Sequence, residues 1–363
     1  MHLSHLSLKN FRSYSELELP LEPGITIFLG KNGEGKTNIV ESMMYIAFLS
    51  SHRTAGDQPL VQLGSQCAYV RAKITYPERD LLVELEINAE KANRARINQN
   101  PIRSQKELFG LLQCVYFSPE DLDLVRGDPS ERRKFIDQLL TLRSPRMAGV
   151  ITDYERAVRQ RNSLLKSRSS YSSLQSWDEQ VAQFGGEIIA ARLQLLAEFE
   201  PVFKKVYADI SKKKPASIYY KSSIDNPTIS AQTNSEIILS KMAAIKNQEI
   251  ERGLTLVGPH RDDLLLHLGD HLVKGYASHG ESWSIALSLK LASYQLLKNA
   301  GESPVLILDD VFSELDEERR DQLVALAQDA EQTFVTVAVG SDLPVGLTGT
   351  TYLAKAGSVR KQP

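Results

Sequence analysis

Only two cysteines occur in the chain, Cys67 and Cys114, in apolar or mixed stretches with no C-x-x-C spacing. That argues against a disulfide framework and against a cysteine-built metal site, and it fits two buried thiols in a reducing cytosol. Long hydrophobic runs are missing as well: none approaches the roughly 18 apolar residues that a membrane span needs. The opening MHLSHLSLKNFRSY has no charged segment followed by an apolar one, so no signal peptide is expected. A cytoplasmic protein with no membrane association is the expectation. Net charge is nearly absent, at −2, so any nucleic-acid contact has to come from a local patch. Neither an internal repeat nor a sustained heptad seam is present.

What is there suits a large globular chain. The 363 residues, 42% hydrophobic and 24% charged, are enough for two domains, or for one head with an inserted lobe. HLSLKNF, SELELP and GITIFLG read as strands, and CAYVRAKITY with LLVELEIN alternates with period two as a hairpin turning at PERD. From about Pro119 helical spacing takes over, beginning with PSERRKFIDQLL and running to about residue 252. Within it, SSYSSLQS reads as a connector, Gly185 and Gly186 as soft spots, and Pro201 as a kink or break. Strands and helices alternate again from GLTLVGPHRDDLLLHL, with PVLILDD and TFVTVAV as buried strands and TTYLAKAG as the last. The expected fold class is therefore α/β: a head from 1–119 and 253–363, interrupted by a mostly helical arm at 120–252.

Gly30, Lys31, Asn32, Gly33, Glu34, Gly35, Lys36 and Thr37 fit G-x-x-x-x-G-K-[ST] between an expected strand and an expected helix. The residue types follow from the chemistry of polyphosphate. Gly33 and Gly35 let backbone N–H groups turn inward, and the helix N-terminus adds partial positive charge. Lys36 would bridge the β and γ phosphates of ATP, and the Thr37 hydroxyl would ligate Mg²⁺. A carboxylate on a neighbouring strand must complete such a site, and VLILDD ends in Asp309 and Asp310. Asp309 is the expected Mg²⁺ partner and Asp310 the general base that polarises the attacking water. Taken alone, the acidic pair also reads as a strand end entering a turn. Loop and carboxylates lie far apart in sequence, and no N-K-x-D guanine-reading element occurs, so the chain between them must leave the head and return.

A further phosphate-facing element stands in YASHGESWSIALSLKLASYQLL, where Ser278 and Gly280 precede a helix with Leu287, Leu291 and Tyr294 on one apolar face. A plain helix N-cap accounts for it, and so does a γ-phosphate contact made from a second copy of the chain. LKNFRSY, GKNGEGKTN, SSHRT, YFSPEDLDLVRGDPSERRKFID, GPHRDDL, KGYASHGE and LILDDVFSELD, in this order and spacing, resemble the RecF family of ABC/SMC-type ATPases over essentially the whole length. The resemblance implies an ABC-ATPase-type P-loop head (lobe I), a helical arm (lobe II) and an ATP-dependent head-to-tail homodimer around two ATP molecules. It implies that Ser278 and Gly280 reach the partner's γ-phosphate, and that Ser313, Glu314, Leu315 and Asp316 cross the dimer seam. It places the segment at Pro119, Glu120 and Asp121 at the joint between the lobes. It further implies a weak DNA-dependent ATPase that marks single-strand gaps and, with RecR and RecO, assists RecA loading. The family's S-Q-G-E-Q pattern is altered here, with His279 and Ser282 in place of the two Gln residues and Trp283 following. Ala338 follows TFVTV where transporters have a switch histidine, and Asp310 stands where most ABC ATPases have Glu.

Basic residues concentrate in the arm: Arg143, Arg146, Arg156, Arg159, Arg161, Lys166 and Arg168, then Lys204, Lys205 and Lys212 to Lys214. Two such arms would form a positive channel for duplex DNA or a duplex/single-strand junction, and a solvated helix face is the alternative. Two other function classes compare with a DNA clamp. The ATP-hydrolysing subunit of a membrane transporter is disfavoured by the KNFRSY start, the basic arm and the missing histidine. A nuclease-coupled ATPase would need a metal-binding acidic site beyond Asp309 and Asp310.

Overall fold

Val305–Asp309 and Gln332–Val337 are buried at every residue, as a strand covered on both faces must be. They pair in parallel, flanked by Cys114–Phe117 on one side and Gly24–Leu29 on the other, again in parallel. Thr350–Lys355 adds to the far side of Gly24–Leu29, and Ser358–Lys361 folds back on it as an antiparallel edge. The expected last strand is thus a hairpin. A second six-stranded sheet is antiparallel, with His2–Phe11 between Tyr14–Pro20 and Cys67–Thr75. Asp80–Asn88 extends it, turning at PERD, followed by Arg94–Ile97 and Asn100–Pro101. Its strands bury alternate residues, Ala68, Val70, Ala72 and Ile74 in one and Leu81, Val83, Leu85 and Ile87 in the next. The helix Lys36–Phe48 contributes Ile39, Val40, Met43 and Ile46 to the same core cluster as Leu6, Val70, Leu85, Phe28 and Phe334.

The computed structural model describes residues 1–362 except 55, 168–170 and 212–213. Two compact units emerge, Met1–Asp121 with Leu297–Pro363, and Leu122–Leu296. The first contains both sheets above. The second begins near the expected start of the arm but keeps the stretch from 253 to 296, because Asp263–Leu268 pairs antiparallel with Ala216–Lys221 in a small sheet. Among the described residues no helix is long and apolar enough to cross a membrane. Both cysteines are free thiols, Cys114 buried and Cys67 only partly so.

The second unit is built on Pro129–Arg143, Arg146–Lys166, Tyr171–Ile210 and Ala231–Ala244. Tyr171–Ile210 departs from the sequence reading in three ways. It takes in most of the expected connector, it continues past Pro201 without the break that was one of two expectations there, and its glycines are close-packing positions rather than soft spots. A Cβ on Gly186 would lie 2.4 Å from the Ala231 carbonyl oxygen, and one on Gly185 would lie 3.1 Å from Ile238 Cδ1. The helix tolerates its proline, a cost of about 3 kcal/mol in a helix interior, because the aromatic rings flanking it are buried in series. Phe135 and Phe199 centroids are 5.9 Å apart, Phe199 and Phe203 6.3 Å, Phe203 and Tyr207 6.3 Å.

GPHRDDL is the hub of this unit. Arg192 clamps Asp137 with two bonds of 2.8 and 2.7 Å and donates to the Pro259 carbonyl at 2.9 Å. Asp262, fully buried, accepts from Tyr220 Oη at 2.5 Å and from the Ser223 N–H at 2.6 Å. Arg132 holds Asp263 at 2.7 and 3.1 Å. Tyr154 Oη lies 2.5 Å from His260 Nδ1, and His260 Nε2 lies 3.0 Å from the Thr255 carbonyl, which accepts and so requires a proton on Nε2.

Candidate functional site

The glycine-rich loop leaves the parallel strand Gly24–Leu29 and enters the helix Lys36–Phe48, whose N-cap is Gly35 at φ 101°. Gly33 is also left-handed, at φ 85°, so both positions suit glycine. Gly35 has a second reason: its Cβ would come within 2.8 Å of Tyr14 Oη and 2.9 Å of Ser13 Oγ. Gly30 is held equally close, since a Cβ there would sit 2.4 Å from the Ala354 carbonyl oxygen. Lys31 and Asn32 fill the turn, and Glu34 accepts from the Ala356 N–H. Among the described residues no side chain caps this helix and no acid stands in its first turn, which favours an anion at its N–H groups.

Lys36 is buried, and its ammonium donates to the Gly30 carbonyl at 2.6 Å and the Lys31 carbonyl at 3.2 Å. An ammonium has three protons, so this geometry has capacity for one anionic acceptor more. Burial lowers the Lys36 pKa, and the carboxylates of Asp310, Asp309 and Glu34 oppose that shift.

Thr37 and Asp309 meet across 272 positions of sequence: Thr37 Oγ1 lies 3.3 Å from Asp309 Oδ1. Two residues that sequence reasoning did not assign hold that carboxylate. Thr336 Oγ1 donates to Oδ1 at 2.5 Å, and Tyr116 Oη donates to Oδ2 at 2.9 Å. Burial pushes the Asp309 pKa up, against the hydrogen bonds from Thr336, Tyr116 and Thr37. Burial and then Asp309 likewise push the Tyr116 phenol up, so it stays a donor. The signal for Thr336 was available in TFVTV, as a hydroxyl in a strand with no exposed face. Tyr116 had no such mark, because CVYF reads as an ordinary buried run. An oxygen-only donor set of one hydroxyl and one carboxylate fits a hard divalent cation such as Mg²⁺ that also takes phosphate oxygens. Among the described residues no group of three His, Cys, Asp or Glu side chains could hold a metal by itself.

Asp310 follows at φ 55°, a left-handed conformation that Asp tolerates better than most residues. Its N–H donates to Thr336 Oγ1 at 3.0 Å, so a single threonine fixes both acids of the pair. Ser313 Oγ donates to the Asp310 carbonyl at 3.1 Å, Glu314 closes the short turn Val311–Glu314, Leu315 is buried and Asp316 caps Glu317–Asp329.

Two other quoted stretches, LKNFRSY and SSHRT, converge on Glu41 in the phosphate-loop helix. Arg12 reaches its two oxygens at 2.9 and 2.5 Å, and Ser51 Oγ donates at 2.6 Å. Asn38, next to Thr37, links Arg53 at 3.1 Å to Ser13 at 2.9 Å.

In the second unit, Ser278 caps the helix His279–Asn299. Its N–H donates to Glu281 Oε2 at 2.9 Å, and the Glu281 N–H donates back to Ser278 Oγ at 3.2 Å. This is a reciprocal capping box, with Gly280 and His279 exposed or nearly so in its turn. The arm's basic residues are more neutral than their sequence suggests. Arg143 pairs with Glu198, Arg146 with Glu187, Arg156 with Asp153, Arg159 with Glu155 and Lys204 with Glu200. Arg161 is buried among Asp178, Glu249 and Thr255, which removes it from any DNA-facing patch. Arg168, Lys212 and Lys213 lie outside the described residues.

The profile of the RecF/RecN/SMC N-terminal domain matches residues 2–342. The chain is 49% identical over 372 residues to the DNA replication and repair protein RecF of Streptomyces avermitilis, covering 99% of this chain and all of that one. It is 46% identical over 374 residues to the protein of the same name from Frankia alni, with 99% of each covered. A solved structure of "the recombination mediator protein RecF-ATPrS in RecFOR pathway" superposes with a TM-score of 0.91 at 26% identity, over 100% of this chain and 98% of that one. The fold is accordingly the α/β fold of ABC/SMC-type ATPase heads with an added helical part. By profile, by identity and by superposition, this chain belongs to the RecF family.

Proposed function

We propose that this protein is an ATP-gated DNA-binding switch of replication and recombinational repair, a slow ATPase whose bound nucleotide joins two copies around DNA. The observation that carries the reading is the 3.3 Å approach of the Thr37 hydroxyl to the Asp309 carboxylate. It joins a phosphate loop to a strand-end acid of the same sheet, with Gln332–Val337 between the two strands, the arrangement that Mg²⁺-dependent phosphoryl transfer needs. The relatives' names, with DNA replication, repair and a nucleotide in them, support the biological setting.

Bound MgATP supplies the scissile phosphoanhydride. Gly30 to Gly35 would cradle the phosphates through backbone N–H groups, Lys36 would neutralise their charge, and Thr37 with Asp309 would hold the cation, which would stabilise the charge that develops on the phosphates. Asp310 orients the attacking water and takes its proton. Ser278 and Gly280 of a second copy complete the pocket, and Ser313 to Asp316 cross the seam. Lobe I, at 1–119 and 253–363, carries the nucleotide, and lobe II, at 120–252, carries DNA. The switch acts in the cytoplasm at single-strand gaps and, with RecR and RecO, assists RecA loading. The RecFOR pathway named for the solved relative supports these partners.

Light scattering with saturating nonhydrolysable ATP and Mg²⁺ tests the reading. Dimers form in the wild type and not in Lys36→Ala, and DNA affinity across a salt series rises with nucleotide. A wild-type protein that stays monomeric under these conditions, with DNA added, overturns it.

A further inference from the structure

The signature turn has an internal wiring that its sequence departure explains. Ser282 stands where the family pattern has glutamine, and it is buried. Its N–H and its hydroxyl both donate to the Ser278 carbonyl, each at 2.9 Å. With its proton so used, Ser282 Oγ has lone pairs to offer, and Arg126 Nε donates to it at 3.2 Å. Arg126 ends the short helix Asp123–Arg126, just after the point where the chain enters the second unit between Asp121 and Leu122. A second tie runs alongside: Lys274 Nζ donates to the Gly127 carbonyl at 2.8 Å. Lys214 lies 3.7 Å from Glu281 Oε1, the acid of the capping box.

The direction of each bond matters for Ser278. The Glu281 N–H uses a lone pair of the Ser278 hydroxyl, so the hydroxyl proton is available to a phosphate oxygen. The two bonds from Ser282 hold the backbone carbonyl of Ser278, and a charged donor at the end of a bond chain strengthens the whole chain. A glutamine in place of Ser282 is too long to make this local bond to its own turn.

We propose that Arg126 is a positioning residue for the signature serine, acting through Ser282 to set the Ser278 hydroxyl for the partner's nucleotide and so linking the entry of the helical arm to ATP-dependent dimerisation. This rests on the reading that Ser278 meets ATP in a second copy.

The test uses the full chain with Trp177→Phe, so that Trp283, next to Ser282, is the one remaining tryptophan. Arg126→Met removes the donor. Arg126→Gln keeps an N–H where Nε stands, without the charge. Expected for Arg126→Met and for Ser282→Ala is an ATP concentration for half-maximal dimerisation raised about tenfold. Arg126→Gln recovers to within about threefold, and the double variant is no worse than the weaker single, because both act through one chain of bonds. Monomer affinity for a fluorescent ATP analogue and the Trp283 unfolding curve stay close to those of the parent. Equal behaviour of the Met and Gln variants, additive effects in the double variant, or an unchanged midpoint overturns the inference. Should Arg126→Met not fold, the Gln and Ser282→Ala comparison decides. Ser278→Arg separates the two layers: if it still dimerises with ATP, the trans reading of Ser278 fails. If it does not dimerise while the Arg126 and Ser282 variants behave as the parent, only the positioning role fails.

Discussion

The two compact units place their polar groups by opposite means. In Met1–Asp121 with Leu297–Pro363, the core cluster is apolar, and the chemistry-bearing groups stand at strand ends and a helix start. A parallel sheet fixes such positions through its backbone grid, so Asp309 needs only Thr336 and Tyr116 to hold its orientation. In Leu122–Leu296, helices carry the structure, and a helix stripe alone leaves register loosely set. There Arg132, Arg161 and Arg192 are buried against Asp263, Glu249 with Asp178, and Asp137. Buried pairs add little net stability over apolar packing, but removing one partner strands a charge. Among the described residues, the second unit sets three buried arginines against its own acids, whereas the first has one such pair, Arg12 with the fully buried Glu41, apart from the acids at its strand end.

Asp310→Asn tests the first half of that contrast and carries the largest expected effect. Loss of the general base slows ATP hydrolysis by about 10²- to 10⁴-fold, while the ATP-bound dimer persists. Phosphate release read beside light scattering checks this, and normal turnover removes Asp310 from the role. Arg161→Met tests the second half. It leaves Glu249, fully buried, without its guanidinium, and the second unit loses about 3–5 kcal/mol. Trp177 and Trp283 both lie in this unit, so urea unfolding followed by tryptophan fluorescence reads it selectively. A change below about 1 kcal/mol would mean that the buried charges set no part of this architecture.

The same contrast explains what could be read from the sequence. The phosphate loop, the strand ending at Asp309 and the alternating hairpins were legible because each is a local pattern with a fixed period or spacing. The arm was legible as helices but not in its chemistry. Arg161 and Arg159 look alike in RAVRQRNSLL, yet one is buried in a triad and the other pairs with Glu155 in solvent. Which arginine turns inward depends on Glu249 and Thr255, nearly a hundred positions away, and no local rule carries that. Gly186 misled for the same reason, since its cause is the Ala231 carbonyl of another helix. Tyr116 was invisible until Cys114–Phe117 paired beside Val305–Asp309.

A smaller effect comes from His260, at the centre of the second unit's polar hub. Burial, with Arg261, Arg133 and Arg161 nearby, lowers its pKa from 6.5 to about 4. The folded imidazole stays neutral where the unfolded one takes a proton, so the unfolded state binds more protons between these values and stability rises with pH there. The contribution is complete above about pH 6.5 and is lost as pH falls through about 4. From the size of the shift, with allowance for partial exposure, the loss is about 2–3 kcal/mol. His260→Gln keeps a donor for the Thr255 carbonyl and removes the titration. Its unfolding free energy, read by tryptophan fluorescence, should therefore fall less than the wild type's between pH 6.5 and 4. Parallel curves would assign the polar hub no pH sensitivity through this residue.

Arg156 sets the lower limit of the scale. It lies 3.5 Å from Asp153 one helical turn away, with its side chain 64% exposed. Water screens such a pair, and ordering two long side chains offsets most of the attraction, so Arg156→Ala changes unfolding by less than about 0.5 kcal/mol. Its worth has to be sought in binding instead. A cation that meets a DNA phosphate releases a counterion, and its removal lowers the slope of log affinity against log salt by about 0.9. Stability unchanged with a shallower salt slope is the expected pair of results for Arg156→Ala. An unchanged slope would make Arg156 a solvated residue of the helix face.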